Sequence, residues 1–452
     1  MRLLKSLIAT ALLLWLAFAF DGRPVQAQSL AEKRFQVSSE SEALLDLTAA
    51  VPGASWMESG REAATVTIFV DDRYHQDLIL FNGAHRFTYQ VLLGRLSSGG
   101  HAVRVDMNRE RSAAGAARVD LLDLRITAID RTRPEFEALA HAPILYARPN
   151  TIDRFSDVPL LMYYEIERKG GRTLLRYSVI FSNEDGGTQT AALMARWGRT
   201  TDIEWVIETE FDAEGRAAGS TFQGVNHETK PFRGKREADH PLLITSSDNN
   251  NFADDRESGM RFALRPIPFD LAGHSREEVM DRFPWTYRVM AEEMIREGKI
   301  TTRRSLGREI ADLRRYLYLD AASDQRNGVG VSFAVKLKGD SRWFASDLGV
   351  SKNKIDRSGH FRTTILLPYP ISLHQIERIA ARCDLLDPPR SKEELVRAAA
   401  ANCDLKSVNK AFLLNRQFQP DSPLRISAPP THLLPGEMLE LTLPPPSDRR
   451  RK

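Results

Sequence analysis

Between Gly198 and Asn251 the chain carries its densest set of groups able to do chemistry. Asp202 and Glu204 stand two residues apart in Asp202-Ile203-Glu204-Trp205, inside a stretch of period-2 hydrophobicity. In an extended strand residues i and i+2 point to the same side, so both carboxylates share a face. Further on, the apolar segment Pro241-Leu242-Leu243-Ile244 runs into Ser246-Ser247-Asp248-Asn249-Asn250-Asn251, a run of oxygen donors, with His227 and His240 in between. Carboxylates joined by such donors suit a hard divalent cation, Ca²⁺ or Mg²⁺. The candidate cation ligands are therefore Asp202, Glu204, His227, His240 and Asp248. Glu184 and Asp185, in the polar loop 182–187, and Asn249 and Asn250 are candidate ligand-binding residues beside them. Tyr74, in the first β-domain, joins this list as a candidate exposed aromatic.

Other chemistries compete for these residues. Asp202 and Glu204 could form the solvent-facing side of a strand, or pair with Arg196, Arg199, Arg233 and Arg236. They could also act as the two carboxylates of a cation-dependent or glycoside hydrolase, which sit about 5–10 Å apart across a cleft. The common catalytic signatures are missing: there is no G-x-S-x-G elbow, no H-E-x-x-H and no P-loop.

The pattern Gly198-Arg199-Thr200-Thr201-Asp202-Ile203-Glu204-Trp205-Val206 resembles a strand of the Vps62-like family. It is also similar to the Gly-His-Arg-His-Asp-Trp-Glu heptad of the necrosis-inducing NPP1-like proteins, across roughly residues 157–254. The resemblance implies a β-sandwich core and, for the NPP1-like family, a divalent cation held by Asp202 and Glu204 at a membrane-directed site. Only Gly198, Asp202 and Glu204 carry over. Arg199, Thr200 and Thr201 stand where the heptad has histidines, and Ile203 stands where it has Trp. The chain as a whole resembles a group of uncharacterised secreted bacterial proteins.

The elements that must position these residues follow from the rest of the chain. Residues 1–27 read as a secretory signal: Arg2 and Lys5, then an apolar run from Leu7 to Phe20, then Val25-Gln26-Ala27 before a cleavage point. No later run is long and apolar enough to span a bilayer. The expectation is an exported protein, periplasmic or extracellular, with no transmembrane segment after cleavage. The net charge is +3, and Arg449 to Lys452 alone supply +4, so the composition gives no support for nucleic-acid binding. Cys383 and Cys403 form an even pair in an exported chain, which favours a disulfide.

The expected class is mainly β with an α+β C-terminal part: consecutive antiparallel β-sandwiches and a smaller mixed domain. Residues 35–140 should form one sandwich, from the alternation of Ala64 to Val70, Asp77 to Phe81, Phe87 to Leu93, His101 to Asp106 and Val119 to Ile129. Phe81, Phe87 and Tyr89, with Tyr74, could serve that sandwich as an aromatic platform for sugars or as its core. Residues 141–300 should form a central β-rich domain. Its strands include Leu160 to Glu167, Leu174 to Phe181, Ala191 to Trp197, the Asp202 segment and the Leu242 segment. A helix should open at the capping box Ser275-Arg276-Glu277-Glu278 and break at Pro284. Residues 301–443 should mix strands with two helices capped at Ser372 and Ser391, each ending near a cysteine. Residues 444–452 read as a disordered basic tail. Export, successive β-domains and the missing catalytic signatures point to a binding protein for glycan or cell-envelope material. A cation-dependent hydrolase and a membrane-directed protein are the alternatives.

Overall fold

The computed structural model describes residues 28–148, 151, 155–184, 186–302 and 305–443. Residues 1–27, expected as a signal, Asp185 and residues 444–452, expected as a basic tail, lie outside them. The class is mainly β, as expected: three pairs of sheets follow one another along the chain.

In the first pair, a four-stranded sheet has the order Gln28–Val37, Gly99–Asn108, Ala64–Val70, Arg73–Leu80. It faces a three-stranded sheet of Phe87–Leu96, Ser41–Ala50 and Asp120–Asp130. Leu45, Leu47, Val66, Ile68, Val103 and Val105 fill the space between them with Trp56. Two of these strands escape sequence patterning. Gln28–Val37 is an edge strand with charged outward residues, and Ser41–Ala50 is rich in the helix formers Ala and Leu. Pairing on both sides, with Phe87–Leu96 and Asp120–Asp130, overrides that local preference.

The central pair carries the candidate residues. Its six-stranded sheet runs Thr229–Pro231, Ala217–Gln223, Asp202–Phe211, Arg172–Phe181, Pro159–Lys169, Pro266–Pro268. The hairpin between Pro159–Lys169 and Arg172–Phe181 turns through Gly170 and Gly171, at φ 59° and 77°, a geometry that favours glycine. The facing sheet is built on His240–Thr245 and Ile144–Tyr146, which pair in parallel. Tyr177, Val179, Val206, Ile207, Leu243 and Phe252 pack between the two.

Helices interrupt this frame. The first helix, α1, is Phe136–Ala140. Thr190–Trp197, expected as part of a strand, is helix α2. Its Ala, Leu, Met and Arg residues favour helix, and Gly198 closes it at φ 63°, with its N–H donating to the Met194 carbonyl. The helix expected from Ser275 breaks at Pro284 into α3, Glu278–Arg282, and α4, Trp285–Arg296. The Ser275 capping box does not form; Glu277 takes the N-cap position without a side-chain bond.

In the C-terminal pair, Gly359–Leu366, Tyr316–Arg326, Asn402–Phe412 and Leu424–Arg425 pack over Trp343–Ala345, Val329–Leu337, Ile376–Leu385 and Met438–Leu441. The box at Ser391 caps a real helix, α5, Lys392–Ala399, where Ser391 Oγ accepts from the Glu394 N–H at 3.1 Å. The box at Ser372 closes only a single 3₁₀ turn, Leu373–Gln375. The strand Ile376–Leu385 follows it directly, where a second helix was expected. Ile376, Ile379, Ala380 and Cys383 suit helical spacing, but Ile379, Ala381 and Cys383 also suit a strand. Pairing with the strictly alternating Val329–Leu337 decides for the strand.

Cys383 and Cys403 form the disulfide, with Cα atoms 5.8 Å apart. It joins Ile376–Leu385 in one sheet to Asn402–Phe412 in the other, so it staples two strands rather than two helices. Replacing both cysteines with serine should lower the unfolding free energy by about 3 kcal/mol. Urea unfolding of the double variant and of the parent, each without reductant, measures that difference.

A second prediction concerns pH. Burial holds His75 at about 4, with Arg261 adding to the effect and Glu237 opposing it. Burial also holds His141 at about 4, with Asp239 opposing and Arg236 assisting. A histidine with a depressed folded-state pKa contributes full stability above its unfolded value, near 6.5. That stability is lost as pH falls towards 4. The two histidines should therefore withdraw stability between pH 6.5 and pH 4, and His141→Gln should lose less melting temperature than the parent across that range.

Candidate functional site

Three loop regions and one strand end bring the predicted residues together. Asp202 and Glu204 open the strand Asp202–Phe211 and share a face, both buried, so the solvent-facing alternative does not hold. Glu184 is fixed beside them by its backbone N–H, which donates to the Thr200 carbonyl at 3.1 Å. His227 ends a short 3₁₀ turn, Val225–His227, with Asn226 and His227 at φ 61° and 60°. The turn 247–250 is closed by the Asn250 N–H on the Ser247 carbonyl at 3.1 Å and presents Asp248, Asn249 and Asn250. A Cβ on Gly186 would collide with Asp248, so Gly186 lies directly on this turn.

The contacts link these groups into one network. Asn250 Nδ2 donates to Asp202 Oδ2 at 3.1 Å and to the Asn183 carbonyl at 3.3 Å. Gln223 Nε2 donates to Glu204 Oε2 and lies 2.6 Å from His227 Nδ1. His227 Nδ1 is 3.7 Å from Glu204 Oε2, and Asn249 Nδ2 is 2.9 Å from His227 Nε2. Arg199, buried, lies 3.7 Å from Asp202 Oδ1 and 3.1 Å from Glu277 Oε1. Arg148 pairs with both Asp157 and Asp248, tying the Asn250 turn to the entry of the sheet.

The electrostatics separate the members. Burial pushes Asp202 well above the ordinary carboxylate range, with Glu204 and Glu184 adding to the effect and Arg199 and Asn250 opposing it. Burial likewise pushes Glu184 up to about 7; Arg199 opposes this and Glu204 assists. His227 is raised, first by its hydrogen bond to Glu204 and then, against the effect of burial, by the Glu204 and Glu184 charges. Burial would raise Glu277, but Arg199, Arg357 and Arg362 together bring it below its usual value. The result is a carboxyl at Glu184 that exchanges its proton near neutral pH, beside an imidazole that favours its charged form.

The site's outer edge is Glu184, His227, Asp248, Asn249 and Arg276, while Asp202, Glu204, Gln223, Asn250 and Asn251 lie beneath. Two of the buried amides have oxygens, Gln223 Oε1 and Asn250 Oδ1, that meet no hydrogen-bond partner among the described residues. Gln223 and Glu277 carry no sequence signal for this role: Gln223 enters from the hairpin neighbour of the Asp202 strand and Glu277 from the start of α3.

Two predicted residues stand elsewhere. His240 is buried at the seam with the first sandwich, its Nε2 3.1 Å from Glu42 Oε2 and its Nδ1 3.0 Å from the Ala142 carbonyl. Tyr74 donates to Asp77 Oδ2 at 2.8 Å on the first sandwich, and Phe81, Phe87 and Tyr89 pack with Trp285 in an aromatic cluster. Of the ion-pair partners considered for Asp202 and Glu204, only Arg199 faces one of them; Arg196 pairs with Asp356.

Among the described residues, no acidic or histidine trio drawn from Asp202, Glu204, His227 and Asp248 has its ligand atoms within 4.8 Å of one another. Arg199 Nη1 lies 3.7 Å from Asp202 Oδ1 and so already offers that carboxyl a positive partner. Among the described residues, the acidic or histidine trio whose ligand atoms lie within 4.8 Å of one another is Glu278, Asp281 and Asp320. There Lys410 Nζ reaches Glu278 and Asp281 at 2.6 Å and Asp320 at 3.3 Å, occupying the place of a cation.

This arrangement predicts contrasting variants. Asp202→Asn keeps the shape of the protonated acid and should shift stability by less than about 1 kcal/mol. Arg199→Ala leaves Glu277 buried without its partner and should cost roughly 3–5 kcal/mol. Chemical denaturation of both variants at pH 7 tests the pair.

No protein-family model matches the chain, and no curated protein matches it significantly. Solved structures overlap parts of it. The EclA C-terminal domain, a sugar-binding protein, is 16% identical over 22% of this chain and 68% of its own, with a TM-score of 0.18. NLPPya in complex with glucosamine is 11% identical over 29% of this chain and 72% of its own, with a TM-score of 0.22. A family 35 carbohydrate binding module from an environmental isolate is 16% identical over 22% and 68%, with a TM-score of 0.16. These likenesses are local and bear on neither ligand nor activity.

Proposed function

We propose that this is an exported binding protein for a hydroxyl-rich ligand, glycan or cell-envelope material, taken up on the face of Glu184, His227, Asp248 and Asn249. One observation carries the reading. Segments far apart in the chain converge to place carboxylates, amides and an imidazole on one small face. Sugar hydroxyls both donate and accept, so a face mixing carboxylate acceptors with amide and imidazolium donors matches them. The signal-like residues 1–27 and the disulfide accord with export. Among the described residues no helix is long and apolar enough to cross a membrane.

A second reading has its own support. Glu184, pushed up to about 7, could give up a proton at this face, and a carboxyl raised in this way is the general acid of glycoside hydrolysis. The membrane-directed alternative needs Asp202 free to hold a cation, and that side chain is buried against Asn250 and Arg199.

A broad glycan array followed by calorimetry tests the binding reading. A hit should weaken by about tenfold, or ~1.4 kcal/mol, in Glu184→Gln and in His227→Ala. An empty array together with an empty cell-wall pull-down would remove the proposal. Release of aryl glycosides that disappears in Glu184→Gln and declines above pH 7 would establish the hydrolytic reading instead.

A further inference from the structure

A second polar cavity, of about 490 Å³, opens where α3 meets the C-terminal sheets. Its inner wall holds Glu278, Asp320 and Lys410, which are already paired with one another and with Arg362. Its mouth holds His274, His360 and Arg425, all exposed. The Arg425 guanidinium makes no ion pair among the described residues. Ser275 also lines the cavity; it is only 7% exposed, and its Oγ meets no hydrogen-bond partner among the described residues. A buried hydroxyl without a partner costs about 1–3 kcal/mol. It is the group whose helix-capping role the fold leaves unused, and the cavity is where a ligand could satisfy it.

The geometry points to a binding site for an acidic sugar, a hexuronate ring with its carboxylate at Arg425 and its hydroxyls on the inner wall. The volume is in the range of small-ligand pockets. Glu278 and Asp320 accept from hydroxyls, while Ser275, Asn409 and Lys410 can donate to them. A guanidinium takes a carboxylate through two parallel hydrogen bonds. A phosphate fits less well, because a compact dianion drawn inward would meet Glu278 and Asp320. The site is separate from the Glu184 face and does not depend on it.

Calorimetry of the full mature chain with glucuronate, glucose and inorganic phosphate as probes tests the assignment. Saturable glucuronate binding is expected, with glucose at least tenfold weaker and phosphate without effect. Arg425→Ala, at an exposed position, should weaken glucuronate at least tenfold and leave glucose unchanged. Ser275→Ala should weaken both sugars several-fold, and Glu184→Gln should change neither. No glucuronate binding overturns the site, as does equal binding of phosphate and glucuronate, which would reduce it to an anion contact. Glucuronate binding lost in Glu184→Gln but kept in Arg425→Ala moves the sugar to the other face and overturns it equally.

Discussion

The buried guanidinium of Arg362 holds the central and C-terminal parts of the molecule in one arrangement. It is fully buried and donates to both oxygens of Asp320 on its own sheet, at 2.5 and 2.8 Å. It also donates to both oxygens of Asp281 on α3, at 2.9 and 2.7 Å, to the Glu277 carbonyl at 3.2 Å and to the Tyr287 hydroxyl on α4. Five planar N–H donors in a fixed fork make such a junction possible, and a lysine could not reproduce it. A charge in this position is tolerable only because every side of it is answered. Burial would raise Asp281, but Arg362 and Lys410 bring it down to about 2, the mark of a strongly held ion pair.

The same junction reaches the candidate site. Gly198, which ends α2 just before the Asp202 strand, lies against Arg362, and a Cβ there would come within 2.6 Å of its Cγ. Thr363 and Thr364 next to Arg362 donate to the Ala195 and Met194 carbonyls, both at 2.6 Å, and so satisfy the end of α2. Glu277, whose carbonyl meets Arg362, turns its carboxylate to Arg199 beside Asp202. The clamp, the helix end and the acidic network are one connected set of contacts.

Within that set, chemistry arises from unequal burial. Asp202 is deepest and favours its proton, Glu184 lies nearer the surface and exchanges near neutrality, and His227 is half out in solvent and favours its charge. Carboxyls alike in type differ here because water reaches them unequally and because each feels its neighbours' charges.

Much of this was legible in the chain. The shared face of Asp202 and Glu204 follows from a period of two, and the oxygen-rich run at Asp248 to Asn250 announces a polar turn after an apolar strand. The break at Pro284 follows from a missing N–H. The segment Thr190–Trp197 is ambiguous in sequence because a short apolar run fits either period, although Gly198 marks its end as a helix. His240 looked like a partner of Asp202, yet its strand belongs to the facing sheet and delivers it to Glu42.

By itself, the sequence determined what is local: alternation, turn residues, the Ser391 cap, the class of fold and the residue types gathered around Asp202. Hydrophobic period and backbone sterics act over a few residues, so they can be read without the fold. The tertiary structure alone decided which charge meets which. Arg199 on Glu277 and Arg362 between Asp281 and Asp320 join residues far apart in the chain. Burial and electrostatic pairing depend on distances through space, and those exist only once the sheets have packed.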